Sequence, residues 1–325
     1  MNEKKYDVII IGGGPAGLTA GIYTGRSKLS TLIIEKEGMG SLLMAHKIDN
    51  YPGFPEGVSG KELYTLMKKQ SERFGAEFLD ATLLGFDVYS DTESKIVKTD
   101  KGNFKAKVVI IASGTGKNGT KKLKGEEEFL GKGVSYCATC DGAFTKNLNV
   151  SLLGQGEEVA EEALFLTKFS KNIKIFVNEK EFKCHKDTLD ALTASGKVEV
   201  ITDAKLLEIK GGEYVEELVI EKDGKIENYP SDFAFLYLGT KNNTEMYGEF
   251  AQLDSQGNIV TKDGLKINVE GMYAAGDIRS GVIRQVTTAV ADGTVAAMEA
   301  IKEILKKELI TYEKDIHTRY QYTYS

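Results

Sequence analysis

Cys137 and Cys140 stand three positions apart in the stretch YCATCDGAF, just ahead of the apolar run LNVSLLG. Two thiols at this spacing can close a small, exchangeable disulfide ring. One thiolate attacks the disulfide of a partner, and its mate then resolves the mixed disulfide. The same spacing also serves as half of a zinc site, or as two unpaired buried thiols. A complete zinc site needs a second pair of ligands. None is offered, because Cys184-His185 is a lone adjacent pair and His46 and His317 stand far from it in the chain. No metal is expected, and Cys184 reads as a small core or surface residue.

The elements that would position such a pair read as nucleotide-binding units. YDVIIIGGGPAGLTAGIYTGR holds a buried parallel strand, Val8 to Ile11, followed by Gly12-x-Gly14-x-x-Gly17. These glycines serve, in order, the tight turn, close backbone approach to a pyrophosphate, and helix–strand packing. The helix that follows offers unpaired N–H groups and a positive dipole end to an anion. LSTLIIEKE is then a second strand ending in Glu35, 18 residues beyond Gly17, where an acid can accept hydrogen bonds from a ribose diol. Later, Met272 to Ala275 form a small-residue strand that delivers Gly276-Asp277 to its carboxyl end, with a helix rich in small residues after it. Asp277 there suits a ribityl hydroxyl, a role compatible with capping that helix. Val108 to Thr115 read as another buried strand ending in small residues.

The 325 residues suit two domains of ordinary size, and 41% of them are hydrophobic. A net charge of −6 gives no basic field for nucleic acid. MNEKKYDVIIIGGG lacks a signal-peptide pattern, and no stretch approaches the roughly 20 apolar residues of a membrane span. Three cysteines are far from a secreted disulfide scaffold, so a cytoplasmic location is expected.

Taken together, GGGPAGLTA, NYPGFPEGVSGKEL, QSERFGAE, CATCDGAF, EEALFLTKFSK and YAAGDI resemble the low-molecular-weight thioredoxin reductases nearly end to end. The resemblance implies an α/β fold with two Rossmann-like dinucleotide-binding domains, the second inserted into the first, and a homodimer. Residues 1–116 and 245–325 would form the FAD-binding domain. Residues 117–244 would form a nicotinamide-like domain carrying the dithiol, with crossovers near Gly116 and Lys241. FAD contacts would come from Gly12, Gly14, Pro15, Ala16 and Gly17 at the first turn, and from Glu35 and Lys36 after the second strand. Gly40, Ser41 and Asn50 would add to them, with Ala112 and Gly114 at a third strand end. The late segment would bring Gly276, Asp277, Arg284, Gln285 and Val286. One stretch, MGSLLMAHKIDN, departs from the family: Ser41 stands where a glutamine is usual, and Leu42, Leu43 and Met44 make the loop apolar. By the same resemblance Cys137 is the interchange thiol that meets thioredoxin, Cys140 faces the flavin, and Asp141 is the acid/base of exchange.

The inserted unit departs further. It keeps Gly154-x-Gly156, but the third small residue is Val159, whose branched side chain is expected to push the helix off its strand. Glu157 and Glu158 would occupy the first helical turn, so the protein supplies its own anion where a pyrophosphate would lie. At the family's His-Arg-Arg motif, which grips the 2′-phosphate of NADPH, stand Val177, Asn178 and Glu179, and a later arginine is Lys183. Each lost charge-assisted hydrogen bond removes about 1.5–3 kcal/mol. A carboxylate about 4 Å from a phosphate adds about 4 kcal/mol of repulsion at an effective dielectric of about 20. Since about 1.4 kcal/mol is tenfold in affinity, NADPH binding should be lost. NADH stays open, because Glu179 suits a ribose diol, but Glu157, Glu158 and Val159 obstruct its pyrophosphate as well.

A kept dithiol without a nicotinamide site is similar to the ferredoxin-dependent flavin thioredoxin reductases. A plant-type ferredoxin and a thioredoxin differ by about 130 mV, or about 6 kcal/mol for two electrons, in the required direction. Electrons would run from ferredoxin through FAD to Cys140, and from Cys137 to thioredoxin. An acidic ferredoxin would seek a basic patch, and Lys117, Lys121, Lys122 and Lys124, or Lys68, Lys69 and Arg73, offer one; each group also reads as a solvated face. The tail tyrosines Tyr312, Tyr320, Tyr322 and Tyr324 suit either a cover for the flavin or a frayed end. Two rivals remain: an NAD(P)H-dependent thioredoxin reductase with an atypical site, and a non-catalytic flavin-binding protein that uses the inserted domain as a partner platform.

Overall fold

Four successive branched aliphatics, Val8 to Ile11, leave no polar face, so their strand is stable only when covered on both sides. In the computed structural model, which describes residues 4–88, 94–115, 123–237 and 244–322, they end β1 (Lys4–Ile11) and are all buried. The chain divides into two compact units, Met1–Leu43 with Val58–Asn118 and Lys241–Ser325, and Met44–Gly57 with Gly119–Thr240. The expected crossovers at Gly116 and Lys241 lie outside the described residues.

In the first unit β1 turns into α1 (Pro15–Arg26), whose proline sits at the first helical positions, where its missing N–H costs nothing. Then come β2 (Thr31–Glu35), α2 (Ser41–Met44), α3 (Gly60–Arg73), β3 (Glu77–Asp80), β4 (Leu83–Asp87), β5 (Lys95–Thr99) and β6 (Gly102–Ile111). Ser59 caps α3 by accepting the Glu62 N–H at 3.2 Å. β3, β2, β1 and β6 are parallel in that order, and the antiparallel β5 and β4 extend the sheet.

The second unit is built on β7 (Val134–Ser135), α4 (Ala138–Asp141), β8 (Asn149–Gly154), α5 (Glu157–Leu166), β9 (Asn172–Phe176), α6 (Lys186–Ala194) and β10 (Val198–Ile201). An antiparallel meander, β11 (Ala204–Gly211), β12 (Val215–Lys222) and β13 (Lys225–Pro230), leads into β14 (Phe233–Tyr237). The parallel sheet runs β10-β9-β8-β14-β7. Its register pairs Tyr237 with Gly154 and Phe235 with Ser135, so the turns after β7 and β8 leave from one carboxyl edge.

The chain then returns to the first unit. β15 (Met272–Ala274) joins the carboxyl half of β6 in parallel, pairing Ala274 with Ile111. A short 3₁₀ turn, Gly276–Ile278, and an extended stretch precede α7 (Val286–Tyr322). α7 presses on α1 through Gly293, where a Cβ would meet the Ala16 carbonyl oxygen at 2.1 Å. The side chains from 311 onward, the tail tyrosines included, lie outside the described residues.

Candidate functional site

At the carboxyl edge of the second unit's sheet, β7 hands the chain to Tyr136 and Cys137. Cys137 is extended at φ −146° and caps α4, its Sγ accepting the Cys140 N–H at 3.2 Å. The two sulfurs are joined in a disulfide, with Cα atoms 5.3 Å apart. The turn's other backbone donors are spoken for as well. Cys137 N–H donates to Ser135 Oγ at 3.1 Å, Ala138 N–H to the Tyr237 hydroxyl at 2.9 Å, and Thr139 N–H to the Glu162 carboxylate. Cys140 is exposed and Cys137 half-buried, so an incoming thiolate can reach the ring.

Asp141 closes α4. Burial raises its carboxyl above the usual carboxylate range; a hydrogen bond from the Ser135 hydroxyl and the nearness of His46 partly offset this, and Asp49 pushes the same way as burial. A carboxyl so placed holds a proton longer than a solvated one, which suits an acid that reprotonates a leaving thiolate. Glu162 and Tyr237 escaped the sequence reading. Glu162 had a signal: it stands three residues after Val159 and four before Leu166, on a helix side whose neighbours are buried. Tyr237, 99 residues from Ala138, had none.

The turn after β8 is braced by the protein's own groups. Glu157 and Glu158 occupy the first turn of α5. The Glu157 carboxylate accepts the His185 N–H at 2.5 Å and the Thr188 hydroxyl, both at the start of α6, and these bonds hold it below the usual carboxylate range. Gln155 ties the turn to the loop after β9. Its Nε2 donates to the Glu181 carbonyl at 2.6 Å, while its Oε1 accepts the N–H groups of Gly156 and Lys183 at 3.1 and 2.8 Å. At the end of β9, Val177 is buried in the core and Asn178 and Glu179 are exposed. Val159, expected to push α5 off its strand, is 1% exposed and belongs to one core cluster with Val150, Leu152 and Ile173. Cys184 is half-buried against the same cluster.

In the first unit, Gly12 has φ +111°, and a Cβ there would meet the Ala112 carbonyl oxygen at 2.3 Å. A Cβ on Gly17 would lie 1.9 Å from the Gly12 carbonyl oxygen, whereas nothing lies within 4 Å of one on Gly14. The turn is therefore closed inward and open outward, the shape that lets a pyrophosphate approach the backbone at Gly14 and the N-terminus of α1 with Pro15 and Ala16. Glu35 ends β2 with its side chain 7% exposed, held by Lys68 Nζ at 2.6 Å and the Tyr64 hydroxyl at 3.0 Å. Lys68 is thus turned inward, over the Phe78 ring, and is drawn out of the suggested basic patch, leaving Lys69 and Arg73 exposed. Of the other patch, Lys117, Lys121 and Lys122 lie outside the described residues and Lys124 pairs with Glu208 at 2.7 Å.

The remaining candidates gather less evenly. Lys36 pairs with Asp80 at 3.4 Å; Gly40 and Ser41 lead into α2, whose Leu42 is buried. Ala112 is buried at the end of β6 and Gly114 follows with φ +65°. Gly276, at φ +77°, donates its N–H to Asp292. Asp277 does not cap the next helix, since α7 begins at Val286; burial raises its carboxyl, with Arg284 opposing and Asp292 reinforcing the rise. Gln285 starts α7 by donating its N–H to Thr288 Oγ1 at 3.2 Å. Asn50 is exposed and belongs to the other unit. Among the described residues no His, Cys, Asp and Glu group could hold a metal, and no helix is long and apolar enough to cross a membrane.

The pyridine nucleotide-disulphide oxidoreductase family model matches residues 6–293. A thioredoxin reductase of Peptoclostridium litorale is 38% identical, over 93% of this chain and 98% of its own. The crystal structure of thioredoxin reductase from Streptococcus pyogenes MGAS5005 superposes with a TM-score of 0.85 at 34% identity, covering 94% of this chain and all of that one. A ferredoxin-flavin thioredoxin reductase from Clostridium acetobutylicum, 30% identical, covers 94% of this chain and all of its own with a TM-score of 0.50.

Proposed function

Since the chain belongs to the pyridine nucleotide-disulphide oxidoreductase family, and within it to the thioredoxin reductases, we propose that it reduces thioredoxin with electrons delivered by ferredoxin rather than by a nicotinamide. The observation that carries the choice of donor is the turn after β8. Glu157 and Glu158 open the first turn of α5 there, Glu157 being bonded to His185 and Thr188 at the start of α6, and Gln155 ties the turn to the adjoining loop. A dinucleotide would bring its pyrophosphate against two carboxylates at the start of α5. It would then meet Asn178 and Glu179 where two cations are needed for a 2′-phosphate.

The FAD half of the reading rests on the first unit, which falls mostly within the expected residues 1–116 and 245–325. The Gly12–Gly17 turn, Glu35 and Asp277 are the groups that would hold the cofactor, and their open cradle and acid-ended strand fit it. Bound FAD would link a carrier that gives single electrons to a disulfide that needs two. The dithiol does the rest. Once the Cys137–Cys140 disulfide is reduced, the Cys137 thiolate attacks the thioredoxin disulfide, forming a mixed disulfide and releasing one thioredoxin thiolate, which Asp141 protonates. Cys140 then attacks Cys137 Sγ, expels the second thiolate and restores the ring, so thioredoxin gains two electrons and the dithiol loses two. A homodimer follows the family.

Anaerobic mixing of the FAD-loaded protein and oxidised thioredoxin with NADPH, NADH or reduced ferredoxin separates the readings. Thiols should appear on thioredoxin with ferredoxin alone, two electrons per disulfide. Turnover with either nicotinamide at micromolar concentration would refute the choice of donor while leaving the reductase intact.

A further inference from the structure

Against the dithiol turn stands a half-buried carboxyl that the exchange steps above do not use. Glu162 stands on α5, and its carboxylate accepts the Thr139 N–H from inside the Cys137–Cys140 turn. Its Oε2 is buried with no hydrogen-bond partner. The neighbouring donor of the same turn, Ala138 N–H, goes to the hydroxyl of Tyr237 on β14. The titratable groups bearing on Glu162 are Glu158 and Glu161 from its own helix and Tyr237 from the sheet, with Asp141 bearing on the same tyrosine. The charges that bear on it are acidic, and no cation is among them.

A carboxylate with one oxygen desolvated and unpartnered, beside other carboxylates, is driven toward its neutral form. Burial first, then Glu158, pushes Glu162 up to about 7, so near neutrality it exchanges a proton with solvent. A second negative charge created close by, on a thiolate of the turn it supports, competes with its own ionisation. The two titrations are then coupled.

We propose that Glu162 is the positioning carboxyl of the dithiol: through Thr139 N–H it anchors the Cys137–Cys140 turn, and its negative charge opposes thiolate formation there. The inference rests on the dithiol being the redox centre proposed above, but not on which donor reduces it. When Glu162 is protonated, Cys137 ionises more easily. When Cys137 is a thiolate, Glu162 keeps its proton. Reduction of the ring therefore takes up a proton at a residue outside the CATCD stretch.

The test is the pH profile of iodoacetamide alkylation at Cys137 in the full-length, FAD-loaded protein reduced with dithiothreitol, the site resolved by mass spectrometry. Glu162→Gln should raise the rate at neutral pH about tenfold by shifting the thiol to a lower pKa. Glu162→Asp, which keeps the charge, should stay near the wild-type profile. The wild-type protein supplies a reading that needs no variant: its profile should carry an inflection near the Glu162 value besides that of the thiol. A Glu162→Gln profile superposed on wild type, or a wild-type profile fitted by one titration, overturns the proposal. Neither ferredoxin nor thioredoxin enters this measurement, so failure of the donor assay and failure here are separate results.

Discussion

Replacing Tyr237 with phenylalanine removes one oxygen and leaves the ring, so the change isolates a single hydrogen bond. That oxygen accepts the N–H of Ala138, the first residue of α4, at 2.9 Å. Ala138 is 0% exposed, so water cannot reach its amide to replace the lost acceptor. A buried donor left without a partner costs about 1–3 kcal/mol. In wild type the amide should exchange with solvent deuterium only when α4 opens. Loss of 1–3 kcal/mol from that opening accelerates exchange roughly 5- to 150-fold. Hydrogen-exchange mass spectrometry on a peptide covering the dithiol, in the oxidised protein, reads this directly. The amides of β1, paired with β6 away from this turn, serve as internal controls. Exchange at Ala138 within about twofold of wild type would refute the assignment of Tyr237 as the acceptor that holds the turn, since the least expected change is about fivefold.

Gly17→Ala puts a Cβ 1.9 Å from the Gly12 carbonyl oxygen, so α1 must move off the turn; the purified variant should lack the flavin absorbance that wild type carries. Lys68→Met, Glu35→Gln and the double variant form a thermodynamic cycle. The pair is 2.6 Å apart with side chains 25% and 7% exposed, so a coupling of about 1–2 kcal/mol is expected from urea unfolding, and less than about 0.5 kcal/mol would show an idle contact. Glu162 binds its proton more tightly in the folded protein, at about 7, than at its ordinary 4.5. Its stabilising contribution is therefore fully present below the ordinary value and is lost as pH rises through about 7. The thermal midpoint of wild type should fall over that interval, and by less in Glu162→Gln.

The local signals were legible in the chain because each depends on neighbours in sequence. Four branched aliphatics made β1, the glycines at 12, 14 and 17 made the turn, and CATCD made a ring of two sulfurs. The acids at 157 and 158 are placed at a helix start by the glycine before them, and they stand there. The effect of Val159 was not legible, for the opposite reason. Whether a branched side chain wedges a helix away or fills a gap depends on the shape left by Val150, Leu152 and Ile173, which come from two other strands. Lys68 likewise looked like a surface charge, and only the arrival of β2 beside α3 gave it Glu35 to pair with.

Sequence thus determined which elements form and which carry the reactive thiols, since hydrophobic periodicity, glycine turns and residue spacing act over a few positions. Tertiary structure alone decided what surrounds those thiols. The strand register that sets Tyr237 beside Gly154 and Phe235 beside Ser135 brings a phenol under α4, and the packing of α5 beside it brings a carboxyl. Those contacts join segments far apart in the chain, and their electrostatic weight comes from a desolvation that no single segment possesses before the sheet has formed.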